Sequence, residues 1–453
     1  MALTSSDANK VLIVSYNFPP VNSPGVYRII GFLKHLKTFG YEPIVLTVKN
    51  PFGDVVDESM TSCIPVGTEV HRVFSFEIDR LKTNIIDFLK NAGSRSCRGG
   101  SDSNSARGRG SNIFSSYLKD IEKFLFLPDR KIGCIPQLCL CALWICWLKK
   151  VKFIFISSPP HSLHLVGVFL KKVLGVNVIS DFRDPWGNEL ISRSVFARCI
   201  NLAIEKTVLK NSDCVIANTD GLKLKIKNKH TWLEEDKIEV ITNGFDRNEM
   251  QSYEMKEIPA PIKRGDKLSL VFIGTIYPGM IDGFIKALEE LYNSNKEIST
   301  LIRITFAGTL SESDIGQFDK VGLRDMVSYL GFISRKASIK CIQESDILLL
   351  FLPDNEQFNS CIPSKVFDYI LTAKPIFALI PEGDTTRFLQ KTKTGICIAP
   401  NNVNEIKTII LRLLDDFHAD KIKIDPDWCE IEKFNRYDLT KKLVRIFDLL
   451  KSK

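Results

Sequence analysis

The chain has 453 residues, enough for two or three domains that each bury a core. Its 44% hydrophobic and 25% charged content is that of an ordinary globular protein and excludes a disordered or collagen-like chain. The net charge of +8 is unevenly placed, and residues 93–110 carry Arg95, Arg98, Arg107 and Arg109 against Asp102 alone. Gly, Ser, Asn and Arg cannot build a core there, so 93–112 reads as a mobile loop. No aromatic residue is interleaved among those arginines, which argues against nucleic acid as a partner and leaves solvent or anionic lipid.

In chain order, 11–15 is a short apolar strand, followed by the loop NFPPVNSPG and a helix over 26–39. A second strand covers 43–48. Residues 135–148, IPQLCLCALWICWL, are nearly all apolar and are followed by Lys149, Lys150 and Lys152. Fourteen residues fall short of the roughly twenty that a membrane-spanning helix needs. Two readings remain: a buried crossover helix, or an interfacial one with Trp144 and Trp147 at the lipid boundary. Strands follow at 153–157, 176–180, 214–218 and 238–242, with a helix over 195–210.

The polar, proline-containing stretch 247–266 reads as a linker, after which the rhythm restarts. Strands are expected at 268–273, 302–307, 327–329, 347–352, 376–380 and 395–399. Helices are expected at 282–293, 335–344, 385–391, 403–417 and 437–450, with another opened by Pro363. Strands alternating with helices imply parallel sheets covered on both faces. The expectation is an α/β chain of two doubly wound Rossmann-like domains facing a central cleft. The twelve cysteines are scattered, several in apolar runs, and make neither a disulfide framework nor a zinc site. MALTSSDANK has no apolar signal core, so a cytoplasmic chain is expected.

In such sheets ligands lie beyond the carboxyl ends of the strands. The first strand is followed by Gly25 and Arg28, without the GxGxxG spacing of a dinucleotide site. The strand at 153–157 is followed by Ser158-Pro159-Pro160-His161, and that at 176–180 by Asp181-Phe182-Arg183-Asp184-Pro185-Trp186. In the second half Gly274 and Thr275, Gly308 and Thr309, and Gly331 hold the equivalent places. Lys365 and Asp368 sit at an i, i+3 spacing after Pro363, a cation and an acid on one side of a helix whose amino end suits phosphate. A plain surface ion pair is the alternative.

These pieces carry a resemblance over nearly the whole chain. SYNFPPVNSPGVYR, FGYEPIVLT, SSPPHS, DFRDPW, VITNGFD, FIGTIY, YLGFIS and PSKVFDY occur in an order similar to that of family 4 glycosyltransferases with the two-Rossmann GT-B fold, close to bacterial surface-polysaccharide members. The resemblance implies retaining, metal-independent transfer of a hexose from a UDP- or GDP-linked donor, with no cofactor. Residues 1–246 would form the acceptor domain and 267–433 the donor domain, while 434–453 would return to the first. Asp368 would hold the donor ribose and Lys365 its diphosphate. Gly331 to Ile333 would hold the base through backbone groups, Gly274 and Thr275 would line the donor pocket, and Gly25 would admit the phosphate. Arg183, Asp184 and His161 would contact substrate at the reacting centre. Asp181 is either part of that contact or the anchor of its turn, and His161 either a cleft residue or a helix-start histidine. The acceptor would be a saccharide or lipid-linked saccharide, with peripheral contact at the inner face of an anionic membrane.

The chain also departs from the pattern. Ser360 stands eight residues before Asp368, where the family carries the first of two glutamates, and the second is itself Asp. YPGMI at 277–281 lacks the usual cation pair, which leaves Arg335 as a candidate extra cation. The pocket is then either rebuilt, or the chain is a weak or inactive member acting as a membrane-side assembly partner. A nucleotide-sugar 2-epimerase and a nicotinamide-dependent oxidoreductase are the remaining alternatives. The first lacks an evident carboxylate-rich pattern and the second its fingerprint.

Overall fold

The computed structural model describes residues 9–49, 51, 56–76, 127–187, 195–247 and 266–452. The loop expected at 93–112 and nearly all of the linker expected at 247–266 lie outside them. The chain divides into two compact units, 1–218 with 223–241 and 440–453, and 219–222 with 242–439.

In the first unit β1 (Asn9–Ser15) leads into α1 (Pro24–Leu36), where proline in the first turn costs no hydrogen bond. Then come β2 (Tyr41–Val48), β3 (Glu69–Val73), α2 (Ile135–Lys149), β4 (Phe153–Ser158), α3 (His164–Leu174) and β5 (Asn177–Phe182). The helix α4 (Val195–Asn211) precedes β6 (Cys214–Ala217) and β7 (Ile238–Val240). The sheet order is β3-β2-β1-β4-β5-β6-β7, every pair parallel. Val11, Leu12, Ile13 and Val14 are wholly buried, as a strand covered by helices on both faces requires.

The second unit contains β8 (Leu268–Ile273), α5 (Asp282–Ser294), β9 (Ile302–Ala307), α6 (Glu312–Lys320), β10 (Val327–Tyr329) and α7 (Arg335–Glu344). It continues with β11 (Ile347–Phe351), α8 (Val366–Tyr369), β12 (Ile376–Leu379), α9 (Asp384–Thr392), β13 (Gly395–Ile398) and α10 (Val403–His418). Its sheet runs β10-β9-β8-β11-β12-β13, again all parallel. Ser334 caps α7, its Oγ accepting from the Ala337 N–H at 3.3 Å. Ile406, Ile409, Ile410, Leu413, Leu414 and Phe417 give α10 its buried face at helical spacing. The last helix, α11 (Arg436–Lys451), enters the first unit from Thr440 onward. There Tyr41 donates to Asp448 at 2.5 Å and packs on Phe447 at 5.0 Å between ring centroids.

Two expectations need correction. β3 has no counterpart among the expected strands; EVHRV is a half-exposed edge strand whose charged residues hide its periodicity. The helix expected to open at Pro363 is a single α turn starting at Val366, continued by a 3-10 turn over Ile370–Thr372. Lys365 is therefore the residue before that turn, not one inside a long helix. The apolar segment of 135–148 is a helix buried on one face only, with Leu138, Ala142 and Ile145 in the core and Leu140, Trp144 and Trp147 outside.

Candidate functional site

The strand order of the second sheet reverses between β8 and β11, where doubly wound sheets leave a crevice at their carboxyl ends. Three glycines build that edge. Gly274 (φ +137°), Gly308 (φ +132°) and Gly331 (φ +63°) follow β8, β9 and β10. The Gly274 N–H donates to Ala307 O at 2.8 Å, the Gly308 N–H to Gly331 O at 2.7 Å, and the Thr309 N–H to Gly274 O at 3.2 Å. A Cβ on Gly308 would stand 2.0 Å from Gly274 O, so the turns can nest only without side chains. Thr275, Gly331 and Phe332 are exposed on this edge and Ile333 half-buried, while the Gly331 carbonyl is already engaged by Gly308.

The segment after β11 returns to the same place. The Lys365 Nζ lies 3.8 Å from the centroid of the Phe272 ring and 2.7 Å from where a Gly274 Cβ would be. No carboxylate pairs with it among the described residues, and burial lowers its pKa to about 7. An ammonium over an aromatic face, beside a bare glycine turn, is a half-built anion site. Asp368 does not meet Lys365. It accepts from both Arg335 Nη1 at 2.5 Å and Nη2 at 2.7 Å, a bidentate pair largely withdrawn from solvent. Lys365 and Asp368 thus flank the edge separately, and the extra cation Arg335 is neutralised by the acid expected to bind ribose. Ser360 is buried, and its Oγ makes no hydrogen bond among the described residues. Tyr369 anchors this turn to the sheet, its hydroxyl accepting from the Ile273 N–H at 3.2 Å.

The first sheet reverses between β1 and β4. At its carboxyl edge Arg183 donates from Nε to Ser158 O at 2.9 Å and from Nη2 to Pro159 O at 3.2 Å. It forms no ion pair with a carboxylate among the described residues. A Cβ on Gly25 would fall 1.5 Å from Arg183 Nη1, so the bare glycine makes room for this guanidinium. That is a different use of Gly25 from the expected approach of a phosphate. Asp184 is exposed beside it. Asp181 is wholly buried, accepting from Arg28 Nη2 at 2.7 Å, Arg28 Nε at 3.0 Å and Ser157 Oγ at 2.7 Å. It braces the edge instead of lining it. His161 stacks on Trp186 at 4.9 Å and contacts Ser158 Oγ at 3.1 Å. Burial, aided by the charges of Arg183 and Lys229, lowers its pKa to about 4, so it is neutral at pH 7. Among the described residues no three His, Cys, Asp or Glu side chains gather to hold a metal ion.

Sequence reasoning missed His164, which is buried, stacked on Phe182 at 4.4 Å and in contact with Ser158 Oγ at 2.9 Å. Its spacing of three from His161 was the available signal. It also missed that Arg335 would reach Asp368, which no local pattern announces.

No protein-family profile matches the chain, and no curated protein does. Solved structures do. An Anabaena protein, HepE, in complex with UDP and glucose is similar with a TM-score of 0.60 at 12% identity, covering 97% of this chain and 99% of the other. Sucrose-phosphate synthase from Thermosynechococcus elongatus gives 0.61 at 12% identity, covering 98% and 99%. A UDP-N-acetylglucosamine 2-epimerase, so described with reserve, from Listeria monocytogenes gives 0.55 at 8% identity, covering 98% of both. The fold is therefore that of the GT-B glycosyltransferases, with two Rossmann-like domains. The Listeria structure, described otherwise, has it too, so the site must decide the chemistry.

Proposed function

We propose that this chain is a glycosyltransferase that moves a hexose from a UDP- or GDP-linked donor to a saccharide or lipid-linked saccharide, with retention and without a metal. The observation that carries the reading is Lys365, an ammonium on the Phe272 ring at the Gly274 turn with no carboxylate partner among the described residues. A nucleoside diphosphate is a ligand whose charge suits that place, and the similar HepE structure holds UDP. Asp368 is proposed for the ribose and the backbone of 331–333 for the base. Gly274 and Thr275 line the donor pocket, while Arg183, Asp184, His161 and Gly25 serve the other substrate.

The bond from the sugar's anomeric carbon to the diphosphate oxygen breaks as positive charge grows on the ring and negative charge on the leaving group. An acceptor oxygen bonds to the same face, and its proton passes to the departing diphosphate oxygen. Lys365 and backbone amides stabilise the charge on that group. His161, neutral at pH 7 and stacked on Trp186, presents its ring to the sugar without adding charge. We further propose a role in surface-polysaccharide biosynthesis, in the cytoplasm at the inner face of an anionic membrane.

A second reading is favoured by the buried Ser360 and by the Arg335–Asp368 pair, which together leave the donor edge without a free carboxylate from either position. In that reading the chain binds nucleotide but acts as a membrane-side assembly partner. A thermal-shift screen of nucleoside diphosphates, followed by an assay of diphosphate release, separates them. A shift with UDP or GDP that Asp368→Ala abolishes, with slow release needing Lys365, supports the transferase. Binding without turnover favours the partner role, isomerisation of a UDP-sugar without acceptor favours an epimerase, and no shift with any nucleotide defeats the proposal.

A further inference from the structure

The helix α2 carries an unusual surface. Ile135, Leu138, Ala142, Ile145 and Cys146 pack into the core of the first unit, so its outward residues should be polar. Instead Leu140, Trp144, Trp147 and Leu148 are 68, 53, 72 and 47% exposed. Their spacing of i, i+4, i+7 and i+8 makes one continuous stripe. No charged residue occurs between Lys131 and Lys149 to interrupt it.

The carboxyl end of that stripe is cationic. Both α2 and α3 lead directly into strands of a parallel sheet, so their carboxyl ends gather at the amino edge of β4 and β5. Lys150, Lys152 and Lys172 are exposed there, with no carboxylate partner among the described residues. Val173 and Leu174, 52 and 37% exposed, extend the apolar surface beside them. From Arg130 to Ser180 the chain has seven Lys and Arg residues and no acid.

We propose that the α2 stripe and the lysines at its carboxyl end dock the first unit on an anionic lipid bilayer. The helix would lie in the interface with its tryptophans at headgroup depth. This gives a surface to the membrane-side placement proposed above and rests on that part of it. Charge selects the occupant. A second copy of the chain across a two-fold axis would bring like-charged lysines together, whereas an anionic leaflet neutralises them. By length and composition Ile132–Lys149 is long and apolar enough to cross a membrane. Its inner side chains are core residues, however, and spanning would forfeit their burial, so the helix lies on the bilayer.

The test is co-sedimentation of the full chain, without nucleotide, with vesicles of pure phosphatidylcholine and of equal parts phosphatidylcholine and phosphatidylglycerol. The wild type should bind the mixed vesicles and weaken with salt. Lys150→Glu with Lys152→Glu and Lys172→Glu should weaken that binding by at least about tenfold. Leu140→Ser with Trp147→Ser should lower it while far-UV circular dichroism stays unchanged. UDP thermal shifts measured on the same variants keep donor binding separate, so a loss of lipid binding alone does not touch the transferase reading. The proposal fails if the wild type ignores mixed vesicles or if both variants bind like it. It also fails if sedimentation equilibrium finds a dimer that Trp147→Ser dissolves.

Discussion

Arg335 and Asp368, thirty-three residues apart, close a bidentate ion pair with N–O distances of 2.5 and 2.7 Å at the carboxyl edge of the second sheet. The pair holds the shorter acid in one orientation and neutralises Arg335. Removing either side leaves a poorly solvated charge, so Arg335→Ala should cost about 1–3 kcal/mol in urea unfolding. Nucleoside diphosphate affinity should fall with it, because Asp368 loses its fixed position. Unchanged affinity in Arg335→Ala would mean that the pair is structural only.

Lys365 makes nucleotide binding pH-dependent. Its ammonium is half deprotonated near pH 7 because burial lowers the pKa to about 7. A bound diphosphate favours the charged form, so binding takes up a proton above that pH, and affinity falls as pH rises towards about 9. The limiting slope is about tenfold per pH unit. Lys365→Arg should flatten the slope, since guanidinium stays charged, and Lys365→Met should remove both slope and most of the affinity. Calorimetric titration of UDP across this range reads it, and a flat wild-type profile would remove Lys365 from the diphosphate.

Asp181 is expected to act on stability. Asp181→Ala leaves Arg28 buried beside an empty position and should cost about 3–5 kcal/mol. The double change Arg28→Met with Asp181→Leu should recover most of that loss. The UDP thermal shift of the second unit should survive in both. A stable Asp181→Ala protein without transfer activity would instead assign Asp181 to the chemistry.

Two glycine replacements should have opposite signs. Gly308→Ala meets Gly274 O at a φ of +132° and should cost more than about 3 kcal/mol. Gly316→Ala, inside α6 with open space around its Cα, should stabilise by about 0.5–1 kcal/mol. Paired thermal melts decide it, and equal effects would mean that the nested turns are not rigid.

Much of the fold is written locally. The bounds 268–273, 302–307, 327–329 and 335–344, read from apolar runs and turn residues, coincide with β8, β9, β10 and α7. The strand β3 escaped because none of its five residues is fully buried, so no buried face imposes an alternating pattern. The one-turn α8 escaped because a proline and a helix-like composition mark a start but not how far packing lets the turn continue. The positions of Gly274, Gly308 and Gly331 at one sheet edge were legible, since glycine after a buried strand announces a turn that only it can make.

Partnership was not legible. An ordered string of residue types specifies two rounds of strands and helices, because backbone hydrogen bonding and side-chain periodicity act over a few neighbours. Which charge meets which is settled only when sheet order brings distant loops together: Lys365 onto Phe272, Arg335 onto Asp368, Arg183 into the space of Gly25. Those pairings depend on through-space distances of a few ångströms, and electrostatic and packing energies follow distance in space, not separation along the chain.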